Sequence, residues 1–355
     1  MAWHAANLAR NRRHYSLLGA AGPSAVAAVA ERVGAGVHFN AFARVEPLGA
    51  QRLKYGVVAT PTLLRDLRDW DALYVSGRMH KPVATLRADA RVAAAAEGNL
   101  TAALACALLL LPVRLHTAIP HAHARLTRRA PHQERFSERQ LHTTLCGLSY
   151  TGDVRMAIAE DASKARDSTA TRRSELTPRF IRAQVDRIAE GSAAPLRQLY
   201  RDAVARAAAW RARPVRARVM MRLRLCGNAD CLVQAPVDGS LGGAWAQDGG
   251  VAARHELLAS LPPALLARLA AAVRQPAPAA GVAGAATALA ASMAAAPHAQ
   301  AQALLRGALA ATVAASSRRQ ALAGLLTAGL GNAARYVGSK MLKAWRSRAA
   351  AQATA

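Results

Sequence analysis

Residues 37–86 read VHFNAFARVEPLGAQRLKYGVVATPTLLRDLRDWDALYVSGRMHKPVATL. Val37-His38-Phe39-Asn40-Ala41-Phe42 follows the helix breakers Gly34 and Gly36 and has the aromatic, β-favouring content of a strand. Leu53-Lys54-Tyr55-Gly56-Val57-Val58 reads as a second strand. Pro61 suits the first turn of a helix that carries Leu63, Leu67, Trp70 and Tyr74 on one side. Val83 to Leu86 reads as a further short strand. The stretch predicts an α/β unit with few strands to complete its sheet.

Upstream, Leu8, Tyr15 and Leu18 suit one face of an opening helix ended by Gly19 and Gly22. Pro23 opens a second helix with Val26, Val29 and Val33 in register. Downstream, Leu100, Leu104, Leu108 and Leu111 form the stripe of a buried helix stopped at Pro112. That stripe is shorter than the ~20 residues a membrane span takes. Residues 113–134 are rich in His, Arg and Pro without period and read as an insertion or loop. No Cys or convergent carboxylate joins His116, His121, His123 and His132, so a solvated loop is favoured over a metal site.

Helices are expected from Phe136 into GLSYTGDVRM (147–156), over 178–189 and 194–210, and from Ser260 onward with Leu265, Leu269 and Val273 in register. Short strands are expected around Val219–Leu225 and Cys231–Ala235. Residues 275–305 carry almost no charged side chain, but alanine contributes little transfer free energy, so a helix pair broken near Pro297 is preferred to a membrane span. A last helix is expected over 333–349, with Val337, Met341 and Trp345 on an apolar side and Lys340, Lys343 and Arg346 among its basic residues. Such a helix either lies in an anionic membrane surface or docks on its own domain with a solvated basic face.

The 355 residues suit about two domains. A net charge of +26 invites nucleic-acid or anionic-membrane readings. Of the 47 basic residues, however, only five are lysines. Arginine, alanine, glycine and proline share GC-rich codons, so base composition accounts for much of the excess. Residues disfavoured by that background mark positions where packing or chemistry demanded them: Tyr15, Asn40, Lys54, Tyr55, Tyr74, Lys81, Tyr150 and Tyr200. The four cysteines (Cys106, Cys146, Cys226, Cys231) make no CxxC pair, which fits a reducing compartment better than a disulfide framework. The first 30 residues are Arg-rich and free of acids, which imitates a mitochondrial presequence.

Several strings then fall in one order: AWHAANLARNRRHYSLL, GAGVHFN, LKYGVV, LLRDLRDWDALYVSGRMHKPV, NLTAALACALLLLP, FSERQLHTTLCGLSYTGDVRMAIAED, LRQLY, LLASLPPALLARL and SSRRQALAGLLTAGL. Together they resemble the mitochondrial phosphatidate cytidylyltransferase family, with LKYGVV, GRMHKPV and GLSYTGDVRM the specific ones. The resemblance implies a nucleotidyltransferase α/β domain, incomplete at its N-terminus, over 1–112. After the 113–134 insertion it implies a mostly helical, winged-helix-like domain over 135–275. Residues 276–355 are left as Ala-rich helices ending in the basic amphipathic one. The implied reaction transfers CMP from CTP to phosphatidate, with Mg²⁺ neutralising the triphosphate. The implied setting is the matrix side of the mitochondrial inner membrane, where a peripheral enzyme would feed cardiolipin synthesis.

In this family a Gly-Ser turn and a pair of metal-holding aspartates precede a Trp-His dipeptide. Here that dipeptide is Trp3-His4, with only Met1 and Ala2 before it. The expected metal-binding aspartates would thus lie upstream of Met1, which reads as an internal or misassigned start. No residue of this sequence inherits those roles, so the chain as written is expected to be inactive, and the presequence reading gives way to interior domain sequence. Asp66, Asp69 and Asp71 lie on a helix that reads as a packing element, Asp153 is isolated, and Glu160-Asp161 reads as a solvated turn.

Candidate substrate contacts are Lys54, on the strand face opposite Leu53 and Tyr55; Arg78 and Lys81 in GRMHKPV; Asn40 at a strand end; and Ser149, Tyr150, Asp153 and Arg155 in GLSYTGDVRM. Each has a structural alternative. Lys54 can be a surface lysine, Arg78 and Lys81 can satisfy helix C-terminal carbonyls, Asn40 can be a turn residue, and Asp153 can pair with Arg155 or cap a helix. Candidate membrane contacts are Lys340, Lys343, Trp345 and Arg346. Two rival functions stand beside the enzyme. One is a non-catalytic remnant that binds anionic phospholipid. The other is a nucleic-acid binder, disfavoured because no stacking platform or recognition motif accompanies the charge.

Overall fold

A computed structural model describes residues 2–15, 17–44, 52–87, 89–111, 135–154, 173–209, 244–246, 251–273 and 281–353. Met1, the 113–134 insertion with its histidines, Glu160-Asp161, Cys226, Cys231 and the expected strands around Val219–Leu225 and Cys231–Ala235 lie outside the described residues. The chain divides into two compact units: residues 1–64, 152–181 and 313–355 in the first, and 65–151 and 182–312 in the second.

The first unit opens with α1 (Ala2–Asn11), two 3₁₀ turns and α2 (Gly22–Ala28), which Pro23 starts and a π-turn over Val29–Val33 extends. Leu8, Tyr15 and Val26 are buried together with Leu18 packed against them. β1 (Val37–Arg44) and β2 (Arg52–Val58) then form an antiparallel pair, with Asn40 opposite Tyr55 and Phe39 opposite Gly56. Gly36 has φ +80°, a left-handed value that glycine adopts without penalty. A Cβ there would also meet Thr62 Cγ2 at 2.5 Å, so the entry to β1 is closed to other residues. Gln320 pins the same entry from the C-terminal helix. Its Oε1 accepts from the Ala35 N–H at 3.1 Å and its Nε2 donates to the Val37 carbonyl at 3.1 Å.

The second unit is built around α5 (Ala90–Leu110), against which α6 (Glu138–Gly147), α8 (Ala193–Ala209) and α9 (Val251–Ala259) pack. Asp89 caps α5 by accepting from the Arg91 and Val92 N–H groups. The cap starts the helix ten residues before the leucine stripe, giving 21 residues of mean hydropathy 1.6 over its best window. The expectation that this segment is too short for a membrane is therefore corrected. In length and composition it could cross one, although in the structure it is the core helix of its unit. β3 (Arg135–Ser137) pairs with β4 (Ala244–Ala246), and Ser137 and Gln140 make a reciprocal capping box for α6. The remaining helices are α7 (Arg173–Gly191), α10 (Pro263–Val273) and α11 (Gly281–Ala295). Phe136, Leu108, Leu145, Leu196, Leu258 and Leu269 are fully buried here.

Three further expectations change. α3 (Thr60–Asp69) stops before Trp70, so Trp70 and Tyr74 are not on its face. Residues 83–86 form no strand, and Val83 and Leu86 are exposed by 53% and 98%. An apolar run without a partner strand has nothing to bond its backbone to. Finally, the C-terminal helix is not a short separate element. α12 (His298–Ala353) runs 56 residues, broken from α11 only at Pro297, where a missing N–H forbids continuation.

Candidate active site

Asp66 explains why α3 ends where it does. The residue is buried, with 4% exposure, and its carboxylate accepts from the N–H groups of Ala72, Tyr74, Val75 and Ser76 at 3.3, 3.2, 2.8 and 2.9 Å. Those four N–H groups are taken from any helical ladder, and the chain folds back over the end of α3. Two non-glycine residues in this loop adopt left-handed backbone, Trp70 at φ +56° and Leu73 at φ +49°. Each such conformation costs about 1–2 kcal/mol. Hydrogen bonds to an ionised carboxylate, about 1.5–3 kcal/mol apiece, suffice to hold them. Burial pushes the Asp66 carboxyl above its ordinary range, and the bonds from Ser76 and Val75 pull it back.

The loop delivers α4 (Ser76–Met79) and the segment Gly77 to Lys81. Asn99 of α5 clamps this segment. Its Oδ1 accepts from Trp70 Nε1 at 2.7 Å and lies 3.0 Å from His80 Nε2, while its Nδ2 donates to the Ser76 carbonyl at 3.1 Å. An indole N–H only donates, so Oδ1 is the acceptor and His80 carries its proton on Nε2. Burial drives the His80 pKa down to about 3, helped by the Lys81 charge, so the ring is neutral. On the far side Tyr200 donates its hydroxyl to the His80 carbonyl at 3.1 Å.

Lys81 ends this chain of supports. Its ammonium donates to the Gly77 carbonyl and to Ser149 Oγ, both at 2.8 Å, and sits 4.7 Å from the centre of the Tyr150 ring. Two strings singled out separately in the sequence, GRMHKPV and GLSYTGDVRM, meet at this ammonium. Burial lowers the Lys81 pKa to about 8, with Cys146 raising it and Arg78 lowering it further. None of its hydrogen-bond partners among the described residues is a carboxylate, so the positive charge is desolvated without neutralisation. A partly buried cation so placed is suited to receive an anion. Arg78 lies nearby in sequence but is turned back on itself, with Nη1 bonded to the Tyr74 carbonyl at 2.7 Å and the guanidinium 4.2 Å from the Tyr74 ring. Asp153 is buried in the first unit, next to Val154, whose N–H donates to Ser317 Oγ at 3.3 Å. Arg155 lies outside the described residues.

The first unit brings together other candidates. Asn40, His38, Tyr55 and Val57 occupy one face of the hairpin, and Lys54, Phe39 and Gly56 the other. Lys54 is exposed with its ammonium 4.5 Å over the Phe39 ring, so it and Asn40 face opposite ways. Leu53, expected to face a core, is 41% exposed. Asn40 Oδ1 lies 3.1 Å from His38 Nε2, and the His38 ring stacks on Tyr15 at 5.2 Å. Burial takes the His38 pKa to about 4. Tyr55 bonds to Asn7 Nδ2 at 3.0 Å and to His14 Nδ1 at 3.1 Å. Asn40 Nδ2, His38 Nδ1 and His4 Nδ1 are buried without a hydrogen-bond partner among the described residues.

Among the described residues no donor set fits Mg²⁺: no group of three or more His, Cys, Asp or Glu stands together there. Asp66, the one acid buried near Lys81 in sequence, has its oxygens taken by backbone N–H groups. Asp69 ends α3. Asp71 lies past that end, paired with Arg65 at 3.0 Å on the surface, so it is not on the helix where it was expected.

A sequence profile described as phosphatidate cytidylyltransferase, mitochondrial, matches residues 1–119, 126–177 and 181–343. The chain belongs to the mitochondrial phosphatidate cytidylyltransferase family. Among curated relatives, the phosphatidate cytidylyltransferase of Xenopus laevis is 42% identical over 164 residues, which is 46% of this chain and 41% of the relative. The mouse protein of the same name is 39% identical over 166 residues, 46% of this chain and 42% of the relative. The human one is 35% identical over 166 residues, 46% of this chain and 31% of the relative. The matched region therefore spans about two fifths of these relatives or less. Asn99 and Asp66 are functional candidates that the sequence reading misses. Asn99 carries a usable signal, since asparagine is disfavoured by the codon background and here interrupts an Ala-rich helix. Nothing local marks Asp66.

Proposed function

We propose that this chain is part of an enzyme that transfers CMP from CTP to phosphatidate, giving CDP-diacylglycerol and pyrophosphate, and that by itself it is inactive, since no metal-holding set of acids stands among its described residues. The observation that carries the reading is the largely buried Lys81 ammonium, with no carboxylate among its hydrogen-bond partners in the described residues, held by Ser149 and Tyr150 in a chain of this family. In the reaction an oxygen of the phosphatidate phosphate attacks the α-phosphorus of CTP, and the bond from that phosphorus to the bridging oxygen of the β-phosphate breaks. Negative charge gathers on the leaving pyrophosphate. Lys81 is placed to steady phosphate charge in a dry setting, where a charged donor counts for more than in water. Its ammonium exchanges the Ser149 hydroxyl for a phosphate oxygen without moving the backbone. Mg²⁺ belongs to this proposal through the family resemblance alone, and no step is routed through it.

In a protein that joins this chain to the Gly-Ser turn and paired aspartates of the family, Lys81→Met is expected to lower kcat/KM for CMP transfer from labelled CTP by about 100-fold, the scale for losing one preorganised charged donor. Unchanged turnover would remove Lys81 from the site.

The proposal extends to place. The relatives are named mitochondrial, and we assign the chain to the matrix side of the inner membrane as a peripheral protein serving cardiolipin synthesis. Leu322, Leu325 and Leu326 support the membrane part. They are exposed by 54%, 47% and 52% on one side of α12, upstream of the basic residues at 335–348. Lys340, Lys343, Trp345 and Arg346 fall on the backbone of that helix, with side chains outside the described residues. Co-sedimentation with cardiolipin vesicles should be lost on deleting residues 333–355. Retained binding would refute a role for that segment. The nucleotidyltransferase-like and winged-helix-like fold description remains part of the same proposal.

A further inference from the structure

We propose that Asp66, Asn99 and Tyr200 are positioning residues for Lys81, forming a rigid frame that presents a lysine to an anionic phosphate. The inference rests on the reading of Lys81 given above.

The frame grips both ends of the Gly77 to Lys81 segment. At the start, Ser76 is held through its N–H by Asp66 and through its carbonyl by Asn99. At the end, His80 is held through its ring by Asn99 and through its carbonyl by Tyr200. These supports come from α3, α5 and α8, three elements far apart in sequence. Between the grips, Gly77 touches the 149 turn so closely that no side chain fits. Lys81 is therefore left one station, between the Gly77 carbonyl and Ser149 Oγ.

Packing alone does not require this arrangement. A hydrophobic loop could cover the same core without a buried carboxylate and a buried amide, each of which must be well bonded to be tolerated. The loop also keeps Trp70 and Leu73 in left-handed backbone. Strain held by dedicated polar bonds beside a candidate cation is the signature of preorganisation. The titratable and charged groups around Lys81 are Cys146 from α6, Arg78 from α4, Tyr150 beside the ammonium, and His80, whose ring the frame holds.

The test reads Lys81 directly. Acylation of its ε-amine in the intact chain is followed by peptide mass spectrometry across pH. The wild type should show a midpoint near pH 8. In Asp66→Asn and Tyr200→Phe the lysine should escape its station, moving the midpoint toward the ordinary ~10.4. Asp66→Glu should restore part of the shift. An unmoved midpoint in folded Asp66→Asn overturns the proposal. Should that variant fail to fold, Tyr200→Phe decides, because it removes one oxygen and keeps the ring's volume. Circular dichroism at each pH confirms that the variant read is folded, so that a moved midpoint does not come from acylation of unfolded chain. Protection of Lys81 from acylation by CTP is measured in parallel. A shifted midpoint without CTP protection in the wild type keeps the frame and removes the phosphate role.

Discussion

Gly77→Ala is expected to destabilise the protein by about 2 kcal/mol and to displace Lys81, since overpacking of this kind costs about 3 kcal/mol at its upper range. Gly77 is buried, and an added Cβ would stand well inside the van der Waals envelope of Ser149 Cβ, 3.2 Å from its Oγ and 3.6 Å from its Cα. The helix propensity of alanine returns roughly 1 kcal/mol at a helical position. The clash wins because neither side can retreat: Ser76 and His80 are tied down, and Ser149 follows α6 in a turn bonded to the Gly147 carbonyl. Chemical denaturation measures the loss. The double variant Gly77→Ala/Ser149→Gly should recover most of it, since the opposing Cβ is gone, yet should not return Lys81 to its station, since the hydroxyl that holds the free ammonium is gone. A Gly77→Ala protein as stable as the parent would mean that the two segments do not approach as described.

Mild acid should unfold both units. His80 has a folded pKa of about 3 and His38 about 4, against 6.5 for an unhindered imidazole. Burial causes both shifts, so the folded protein binds fewer protons than the unfolded chain between those values and 6.5. Stability therefore falls as pH drops below 6.5, and continues to fall until the folded-state pKa is reached. At about 1.4 kcal/mol per pKa unit, the full loss is about 5 kcal/mol for His80 and about 3 kcal/mol for His38. Asp66 acts in the opposite sense, because burial raises its pKa, but it contributes to one unit only. Losses of this size are comparable with the whole stability of a domain. Near-ultraviolet circular dichroism should collapse between about pH 6 and pH 4, the window these pKa values set. His38→Phe should move the first unit's transition to lower pH. A signal unchanged down to the His38 value of about 4 would contradict neutral, buried imidazoles.

Which parts of this could be read in the sequence follows from how local each one is. The antiparallel pairing of β1 and β2 was not legible, but each strand was, because strand-favouring residues and flanking glycines are properties of a few neighbouring residues. The same holds for the leucine stripe of α5 and for the break at Pro297. Trp70 and Tyr74 misled, since they continue the helical spacing of Leu63 and Leu67 perfectly well. Only a carboxylate four residues before Trp70, turned inward to collect N–H groups from 72 to 76, ends that helix. Lys81, Ser149 and Tyr150 were each marked as candidates, Lys81 and Tyr150 by rarity and Ser149 by its motif. Their convergence was not legible, because 68 residues separate Lys81 from Ser149. Tyr200 was marked by rarity too, and its partner is a backbone carbonyl that no pattern identifies.

The Asp66 loop has a further consequence, in time rather than in place. Residues 70–75 form neither helix nor strand, and such loops ordinarily open and close on their own. Here the amide protons of Tyr74, Val75 and Ser76 answer to a single carboxylate, so they are released together or not at all. The loop thus shares the lifetime of the buried acid and moves as slowly as the core around it. A nucleotide reaching Lys81 would meet a finished surface rather than one that must first be assembled.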